Sequence, residues 1–261
     1  MKFPDNWKLP TFDIVELAPK RQKYAICVFV LNEGDRFLQQ IQKMNSVASE
    51  CDILIADGGS NDGSTEPGFL EKNHVVTLLT KTGAGKLSAQ MRMAFAYALN
   101  NGYDGIITVD GNNKDDTSAV PLFISALDSG FDHIQGSRFI HGGRAINTPP
   151  LRWLAVRLIH APIISHASGF SYTDTTNGFR AYSSKFLQDK RVLPFRDIFS
   201  AYELHYYLAV RAARLGYRVT EVPVIRRYPA RGKIPTKISP VKGNLLILKT
   251  LLNVLAGKYN P

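Results

Sequence analysis

The chain has 261 residues, of which 44% are hydrophobic and 21% are charged, and these proportions are typical of a globular protein and exclude extensive disorder. Its formal charge of +10 indicates an acidic partner, which could be nucleic acid, an anionic membrane or a phosphorylated substrate. No stretch reaches the ~18 uncharged apolar residues that a membrane-spanning helix requires, so we expect a soluble or membrane-peripheral protein.

The first half of the chain alternates apolar strands with helices. Residues 1–23 are polar and contain proline, which predicts an irregular lead-in. The continuous apolar runs predict strands at residues 24–31, 51–56, 74–79 and 106–109, and helical spacing of apolar residues predicts helices over 37–44 and 87–99. This alternation predicts an α/β fold with a mainly parallel, doubly wound sheet and helices on both faces.

The second half continues the alternation less regularly. A strand is predicted at residues 131–135, a helix from residue 151 that breaks near Pro162, a turn at 174–182, a helix at 202–215 and a strand at 218–225. We expect one domain over residues 1–240, followed by an amphipathic helical tail over 241–261. The apolar stripe of that tail, which either packs on the domain or lies on a membrane, is formed by Leu245, Leu248, Leu252 and Leu255.

A cytoplasmic location is favoured by the two cysteines, Cys27 and Cys51. Both lie in apolar, strand-like surroundings, which are typical of reduced core thiols rather than of a disulfide framework.

An acidic loop follows the predicted strand at residues 106–109. Asp110, Asn112, Asp115 and Asp116 offer hard oxygen ligands, which Mg²⁺ or Mn²⁺ prefers, at the carboxyl edge of a buried parallel strand. The same residues could instead form a solvated turn that caps the helix after it.

Two further loops suggest nucleotide binding. Asp57 begins an Asp-, Gly- and Ser-rich loop at residues 57–64, where its carboxylate could accept a hydrogen bond from a base or ribose, or simply shape the turn. Lys86 ends a glycine-rich segment that lacks the phosphate-loop spacing, so we interpret it as a helix N-terminus that can accept a phosphate or as a turn without function.

Together, the loops resemble those of the inverting glycosyltransferases of family 2, which have the nucleotide-sugar-binding, Rossmann-like GT-A fold. The matching segments are residues 30–33 (Val-Leu-Asn-Glu), 57–64 (Asp-Gly-Gly-Ser-Asn-Asp-Gly-Ser), 110–112 (Asp-Gly-Asn), 136–139 (Gly-Ser-Arg-Phe) and 177–180 (Asn-Gly-Phe-Arg). Within the family, the residues 178–180 and the basic segment 226–237 are most similar to the dolichol-phosphate or polyprenyl-phosphate sugar transferases.

The resemblance implies a nucleotide-sugar donor, a Mg²⁺ or Mn²⁺ cofactor and specific roles for residues. Metal binding is implied for Asp110 and Asn112, and catalytic roles for Asp110, Arg138, Arg180 and Glu203. Contacts with the nucleotide donor are implied for Asn32, Glu33, Asp57, Lys86, Arg231, Lys233 and Lys237. Arg and Lys side chains around a departing diphosphate would stabilise the charge that develops in the transition state.

Two departures from the family pattern affect these implications: the residue at position 112, and the lack of the transmembrane tail found in some relatives, which weakens the case for a lipid acceptor. The family has a second Asp where this chain has Asn112, which makes one metal ligand neutral. Asp174 and Glu203 are the only candidates for a general base, and Arg226 and Lys242 are interpreted as part of a solvated basic face.

We expect the sugar acceptor to be a polyprenyl phosphate, with a saccharide or another hydroxyl compound as the alternative. A sugar nucleotidyltransferase is disfavoured, because residues 32–35 (Asn-Glu-Gly-Asp) replace the glycine-rich basic loop that this class has after its first strand. A nucleic-acid-binding module would explain the charge but not the ordered acidic loops. We therefore predict a cytoplasmic enzyme that does not bind nucleic acid. It can contact the inner face of the cytoplasmic membrane without crossing the bilayer.

Overall fold

The computed structural model describes residues 2–230 and 242–261. The strands are β1 Phe12–Glu16, β2 Tyr24–Val30, β3 Asp52–Asp57, β4 Val75–Lys81, β5 Gly105–Asp110, β6 His133–Ser137, β7 Arg144–Ile146, β8 Arg180–Ser183, β9 Val219–Pro223 and β10 Ile225–Arg227. The α-helices are α1 Asp35–Met44, α2 Pro67–Lys72, α3 Leu87–Asn100, α4 Val120–Asp128, α5 Pro150–Ala155, α6 Ala161–Ser168, α7 Ser184–Leu187, α8 Glu203–Arg214 and α9 Lys242–Leu255. Short 3₁₀ helices span Asn45–Val47 and Thr117–Ala119, and a π-helical segment spans Val156–His160.

The central sheet has eight strands in the order β1-β4-β3-β2-β5-β8-β6-β9, and β7 pairs with β10 in a separate parallel ribbon. Neighbouring strands from β4 to β5 are parallel, whereas β8 runs antiparallel to both β5 and β6. The predicted mainly parallel sheet is therefore confirmed, and its carboxyl edge gathers the loops that follow β2, β3, β5 and β6.

Apolar residues cover both faces of the sheet. Alternate residues of β2 point to opposite sides, so that Cys27 packs with α3 and α8 while Ile26 packs with α1 and α4. Strands buried on both faces give continuous apolar runs, which is why the sequence predicted their positions well.

The irregular lead-in predicted at residues 1–23 is wrong in part. Residues Phe12–Glu16 form β1, which pairs antiparallel with β4 at the edge of the sheet. Phe12 and Ile14 pack against the core on one side of this strand. The backbone of β4 offers unpaired hydrogen-bonding groups there, and a short segment with alternate apolar residues satisfies them.

Two predictions for residues 151–182 also need correction. The helix does not break at Pro162: α5 and α6 are joined by the π-helical segment, in which Ala161 donates its N–H to the carbonyl of Val156. The wider turn accommodates the missing N–H of proline without ending the helix. The segment predicted as a turn at 174–182 ends in β8, which fills the gap between β5 and β6.

Helix α9 packs on α6 and α8, but not through the predicted leucine stripe. Ile247, Leu251 and Val254 form the buried side. The four leucines of the stripe are exposed by 41% to 66%. None of the helices in the described ranges has the length and apolar character that crossing a membrane requires.

Candidate active site

The acidic loop after β5 lies at the carboxyl edge of the sheet, as predicted. Gln40 of α1 fixes its backbone, because its side chain donates to the carbonyl of Asp110 at 2.9 Å and accepts from the N–H of Asn113 at 2.6 Å. Gly111 donates its N–H to the carbonyl of Phe29 at 2.7 Å. The loop is thus attached to β2 and α1, and its side chains have defined positions.

The carboxylate of Asp110 lies in a closely packed corner. A Cβ atom added at Gly178 would lie 2.9 Å from Oδ1 of Asp110, so the backbone of the loop before β8 approaches this carboxylate as only glycine allows. Nδ2 of Asn112 lies 3.4 Å from Oδ2 of the same carboxylate. The Asp110 side chain keeps 26% of its surface exposed, which leaves it accessible to a ligand.

Arg226 is not part of a solvated basic face, and that prediction is wrong. Its side chain is 6% exposed, and its guanidinium donates to Oδ2 of Asp110 at 2.9 Å and to Oδ2 of Asp115. Burial acts to raise the pKa of Asp110, but the charges of Arg226 and Lys114 outweigh burial and lower this pKa to about 2. Asp110 therefore remains a carboxylate at any physiological pH.

Lys114 brings a second buried cation to the loop. Burial, followed by the charge of Arg226, lowers the pKa of Lys114 to about 8. Its ammonium nitrogen lies 5.3 Å from the centre of the Tyr228 ring, and the Tyr228 hydroxyl accepts from Nη1 of Arg152 at 3.2 Å. Tyr228 thus connects the acidic loop to helix α5.

The loops after β2 and β3 are bound to each other beside this site. Asn32 accepts the N–H of Asn61 at 2.8 Å, and Gln90 donates to the carbonyls of Val30 and Ala56 at 3.0 Å. Asp57 is 1% exposed. Its Oδ1 accepts the N–H of Ser60 at 2.9 Å and the hydroxyl of Ser60 at 2.6 Å. The Asp57 carboxylate therefore shapes its own loop, and its predicted contact with a nucleotide stays a prediction.

Glu33 and Lys86 lie at the periphery of these loops. Glu33 forms an ion pair with Arg36 at 2.8 Å. The exposed Lys86 immediately precedes α3 and donates its backbone N–H to the carbonyl of Ser200 at 2.7 Å. The predicted donor contacts of Asn32, Glu33 and Lys86 stay predictions, and Arg231, Lys233 and Lys237 lie outside the described residues.

Arg138 and Arg180 are buried and already bonded within the protein. Arg138 forms a bidentate pair with Asp174, with distances of 2.6 and 2.9 Å. Arg180 donates to the backbone carbonyls of Asn177, His205 and Thr175 at 2.6 to 2.9 Å. In these positions, both guanidinium groups brace the loops around Asp110, and direct contact with a diphosphate stays a prediction.

The two candidates for a general base are engaged as well. Asp174 is the partner of Arg138, and Glu203 accepts the N–H groups of Ser200 and Ala201 at 3.1 and 2.7 Å. Both carboxylates stabilise loops, so the catalytic role predicted for Glu203 requires it to leave these bonds.

The arrangement fits a divalent cation that is shared with a phosphate ligand. Asp110 offers an accessible carboxylate, and the amide oxygen of Asn112 accepts the N–H of Lys114 at 3.3 Å. Within residues 2–230 and 242–261, no group of three or more His, Cys, Asp or Glu side chains is placed to hold a metal ion. Mg²⁺ in nucleotide sites is commonly held by one or two carboxylates together with substrate phosphates, and this site matches that pattern.

Sequence reasoning missed Arg226, Gln40 and Tyr228 as parts of the site. A period-two pattern could have indicated Arg226, because Val222, Val224 and Tyr228 on the same side of the strand segment are buried with it. Gln40 gave no such signal, since its partners lie 70 or more residues away along the chain.

Comparison with known proteins agrees with this fold. No family model matches the chain. The undecaprenyl-phosphate mannosyltransferase of Micrococcus luteus is 28% identical over 201 residues, which cover 74% of this chain and 79% of that protein. The polyprenol monophosphomannose synthase of Mycolicibacterium smegmatis is 25% identical over 206 residues, which cover 78% of this chain and 77% of that protein.

A similar solved structure is that of glucosyl-3-phosphoglycerate synthase from Mycobacterium tuberculosis, in complex with Mn²⁺, uridine diphosphate and glucosyl-3-phosphoglycerate. It superposes with a TM-score of 0.64 at 11% identity, over 90% of this chain and 79% of that one. This likeness shows the fold, which is that of the GT-A glycosyltransferases. The predicted resemblance to polyprenyl-phosphate sugar transferases is confirmed, and the chain is a glycosyltransferase of the GT-A fold.

Proposed function

We propose that the protein transfers a sugar, with inversion, from a nucleoside diphosphate sugar to a polyprenyl phosphate at a membrane surface. The observation that supports this most directly is the position of the Asp110 site beside an exposed apolar helix, to which Tyr228 connects it. The names of the sequence relatives, which describe mannosyl transfer involving undecaprenyl phosphate and polyprenol, support the same acceptor class.

The donor diphosphate would lie over the acidic loop. Lys114 and Arg226 place two positive charges beside Asp110, and positive charge stabilises a departing diphosphate more than a bound substrate. A divalent cation, Mg²⁺ or Mn²⁺, would be held by Asp110 and Asn112 together with the diphosphate, and it would neutralise part of the same charge. Asp110 itself stays ionised and fixes the position of Arg226.

A phosphate acceptor fits the side chains around the site better than a hydroxyl acceptor. A hydroxyl group normally needs a general base, whereas a phosphate oxygen is already ionised near neutral pH. Asp174 and Glu203, the two candidates for a base, are engaged in hydrogen bonds that support loops. Transfer to a saccharide therefore remains the second candidate.

The apolar surface next to the site supports a lipid-linked acceptor. Helix α5 and the π-helical segment expose Leu151 by 80%, Trp153 by 43% and Leu158 by 66%. Arg157 lies beside Trp153, with its guanidinium carbon 5.7 Å from the ring centre. Exposed apolar side chains flanked by cations are typical of surfaces that bind anionic lipid, and contact of this helix with the inner face of the cytoplasmic membrane is part of the proposal.

A thermal-shift screen tests the donor part of the proposal. The melting temperature of the full chain would be measured with nucleoside diphosphates and their sugars, with and without Mn²⁺. A donor that binds only the folded protein raises the melting temperature, and a ligand at 100 times its dissociation constant stabilises by about 2.7 kcal/mol. We expect one nucleotide base to be preferred; no stabilisation by any member of the series would contradict the proposed function.

A further inference from the structure

Arg226 is held against the acidic loop by the backbone as well as by its side chain. Asp116 donates its N–H to the carbonyl of Ile225 at 2.9 Å, and Arg227 donates its N–H to the carbonyl of Lys114 at 2.7 Å. These two bonds attach the short strand β10 to the loop on either side of Arg226. The guanidinium is therefore a fixed part of the site and not a mobile surface cation.

The guanidinium lies between two carboxylates that differ in exposure. Nη2 donates to Asp110 at 2.9 Å, and Nη1 donates to Asp115 and, at 3.2 Å, to the amide oxygen of Asn177. The side chain of Asp115 is fully buried, whereas that of Asp110 is 26% exposed. Arg226 thus neutralises an inaccessible carboxylate and, at the same time, the one that a metal ion would use.

The ion pair between Arg226 and Asp110 disfavours the binding of a divalent cation when no nucleotide is bound. A cation at Asp110 would be in contact with a carboxylate that already binds Arg226, and the positive charge of Lys114 is close by. Asn112 contributes no negative charge to offset the repulsion. A bound nucleoside diphosphate would change the balance, because its oxygens supply further metal ligands and its negative charge offsets the two side-chain cations.

We infer that Arg226 is the resident counter-cation of Asp110 and makes divalent-cation binding at this site conditional on a nucleoside diphosphate. The inference rests on the proposed function, because it assumes a nucleoside diphosphate donor. It concerns the order in which ligands bind, which neither the fold nor the relatives specify.

Mn²⁺ binding can be measured without any transfer reaction. Free Mn²⁺ would be followed by electron paramagnetic resonance in titrations of the full chain, alone and with uridine or guanosine diphosphate. The wild-type protein should bind Mn²⁺ weakly on its own and at least about tenfold more tightly with the preferred nucleotide, after correction for Mn²⁺ bound by the nucleotide itself. Equal affinity with and without nucleotide would overturn the inference.

A double variant isolates the role of Arg226. Arg226→Met combined with Asp115→Asn removes the guanidinium without leaving a buried carboxylate unpaired, so the fold should be retained. This variant should bind Mn²⁺ without nucleotide at least about tenfold more tightly than the wild type, since Arg226 no longer occupies the Asp110 carboxylate. Asp115→Asn alone, which keeps Arg226 on Asp110, should bind Mn²⁺ without nucleotide no more tightly than the wild type. Arg227→Met, at the exposed neighbouring position, should bind Mn²⁺ as the wild type does.

The wild-type and double-variant titrations distinguish a failure of this inference from a failure of the proposed function. No gain of nucleotide-free Mn²⁺ binding in the folded double variant would overturn the inference while leaving donor binding intact. If the double variant does not fold, the wild-type titration still tests the inference, because equal Mn²⁺ affinity with and without nucleotide overturns it. If no nucleoside diphosphate of the thermal-shift screen binds the wild type, with or without Mn²⁺, both the proposed function and the conditional binding are overturned.

Discussion

The pair formed by Arg138 and Asp174 is the most completely buried ion pair within residues 2–230 and 242–261, with side-chain exposures of 1% and 0%. It joins the residue after β6 to the loop before β8. Removing one partner of such a pair leaves a buried charge uncompensated, which typically costs about 3–5 kcal/mol. The pair therefore stabilises the loops that surround Asp110.

The stability that this pair contributes should depend on pH. Burial would raise the pKa of Asp174, but the charge and hydrogen bonds of Arg138 outweigh burial and lower this pKa below its ordinary value. A carboxyl group with a lowered pKa in the folded state contributes stability that is complete above its unfolded pKa of about 3.9 and is lost as pH falls through the folded value.

We therefore expect Asp174→Asn to lower the melting temperature by a constant amount near neutral pH, and the difference from the wild type to narrow below about pH 4. Melting curves of both proteins across this range provide the measurement. Asp5→Asn, at an exposed position, should have little effect at any pH. If the difference in melting temperature did not change with pH, the stabilising effect of Asp174 would not depend on its negative charge.

Single residues were predictable where the local sequence determines their role. Asp110 was identified because an acidic, glycine-containing turn directly follows a buried strand. Its partner Arg226 lies 116 residues further along the chain, and the basic residues around it suggested a solvated face. Pairing over such a distance depends on the path of the whole chain, which short patterns do not contain.

The loop before β8 approaches the acidic loop through Gly178. This glycine is required for space rather than for its backbone angle, because an added Cβ would meet Oδ1 of Asp110 at 2.9 Å. A methyl group there must displace either the Asp110 carboxylate or the loop, and either movement disturbs the bond from Arg226.

Gly178→Ala should accordingly lower kcat/KM at least about tenfold, because a small displacement of a positioned group has a large effect on rate. Its melting temperature should change little, since one side chain can shift. Gly68→Ala is a matched control, because nothing lies within 4 Å of an added Cβ at that exposed position. A kcat/KM of Gly178→Ala equal to that of the wild type would show that the close approach of Gly178 to Asp110 is not needed for activity.

Helix α5 and the π-helical segment should bind lipid through their exposed leucines. We expect the wild-type protein to float with anionic liposomes at low salt and less so at high salt, because the cations that flank the leucines are screened. Leu151→Glu combined with Leu158→Glu should abolish flotation. Leu122→Glu, at an exposed leucine of α4, should not. Equal flotation of the double variant and the wild type would exclude this helix as the lipid-binding element.

The sequence predicted an element best where the residues along it are buried to a similar extent. The fully buried β2 and β3 gave clear apolar runs. The short strands β1 and β8 did not, because each is defined by a neighbouring strand rather than by its own sequence. The leucines of α9 illustrate the same limit: the stripe indicated a helix correctly, yet a different side, with Ile247 and Leu251, packs on α6 and α8.

The whole sheet brings together loops that lie far apart in sequence. The alternation of strands and helices predicted the α/β class, and the resemblance of the loop motifs to those of family 2 glycosyltransferases implied the GT-A fold. The parallel strands place those loops at one edge of the sheet. The relation between that edge and the apolar helix α5 was not predictable, since it depends on the ribbon of β7 and β10 and on Tyr228.

Transfer to a polyprenyl phosphate, compared with the corresponding polyprenol, tests the proposed reaction. A radiolabelled sugar donor would be incubated with each lipid, and labelled product would be counted in the organic phase. We expect product with the phosphate and none with the alcohol, since the alcohol would need a general base. Asp110→Asn should reduce transfer at least about 10²-fold. Equal transfer to the polyprenol, or undiminished transfer by Asp110→Asn, would contradict the account.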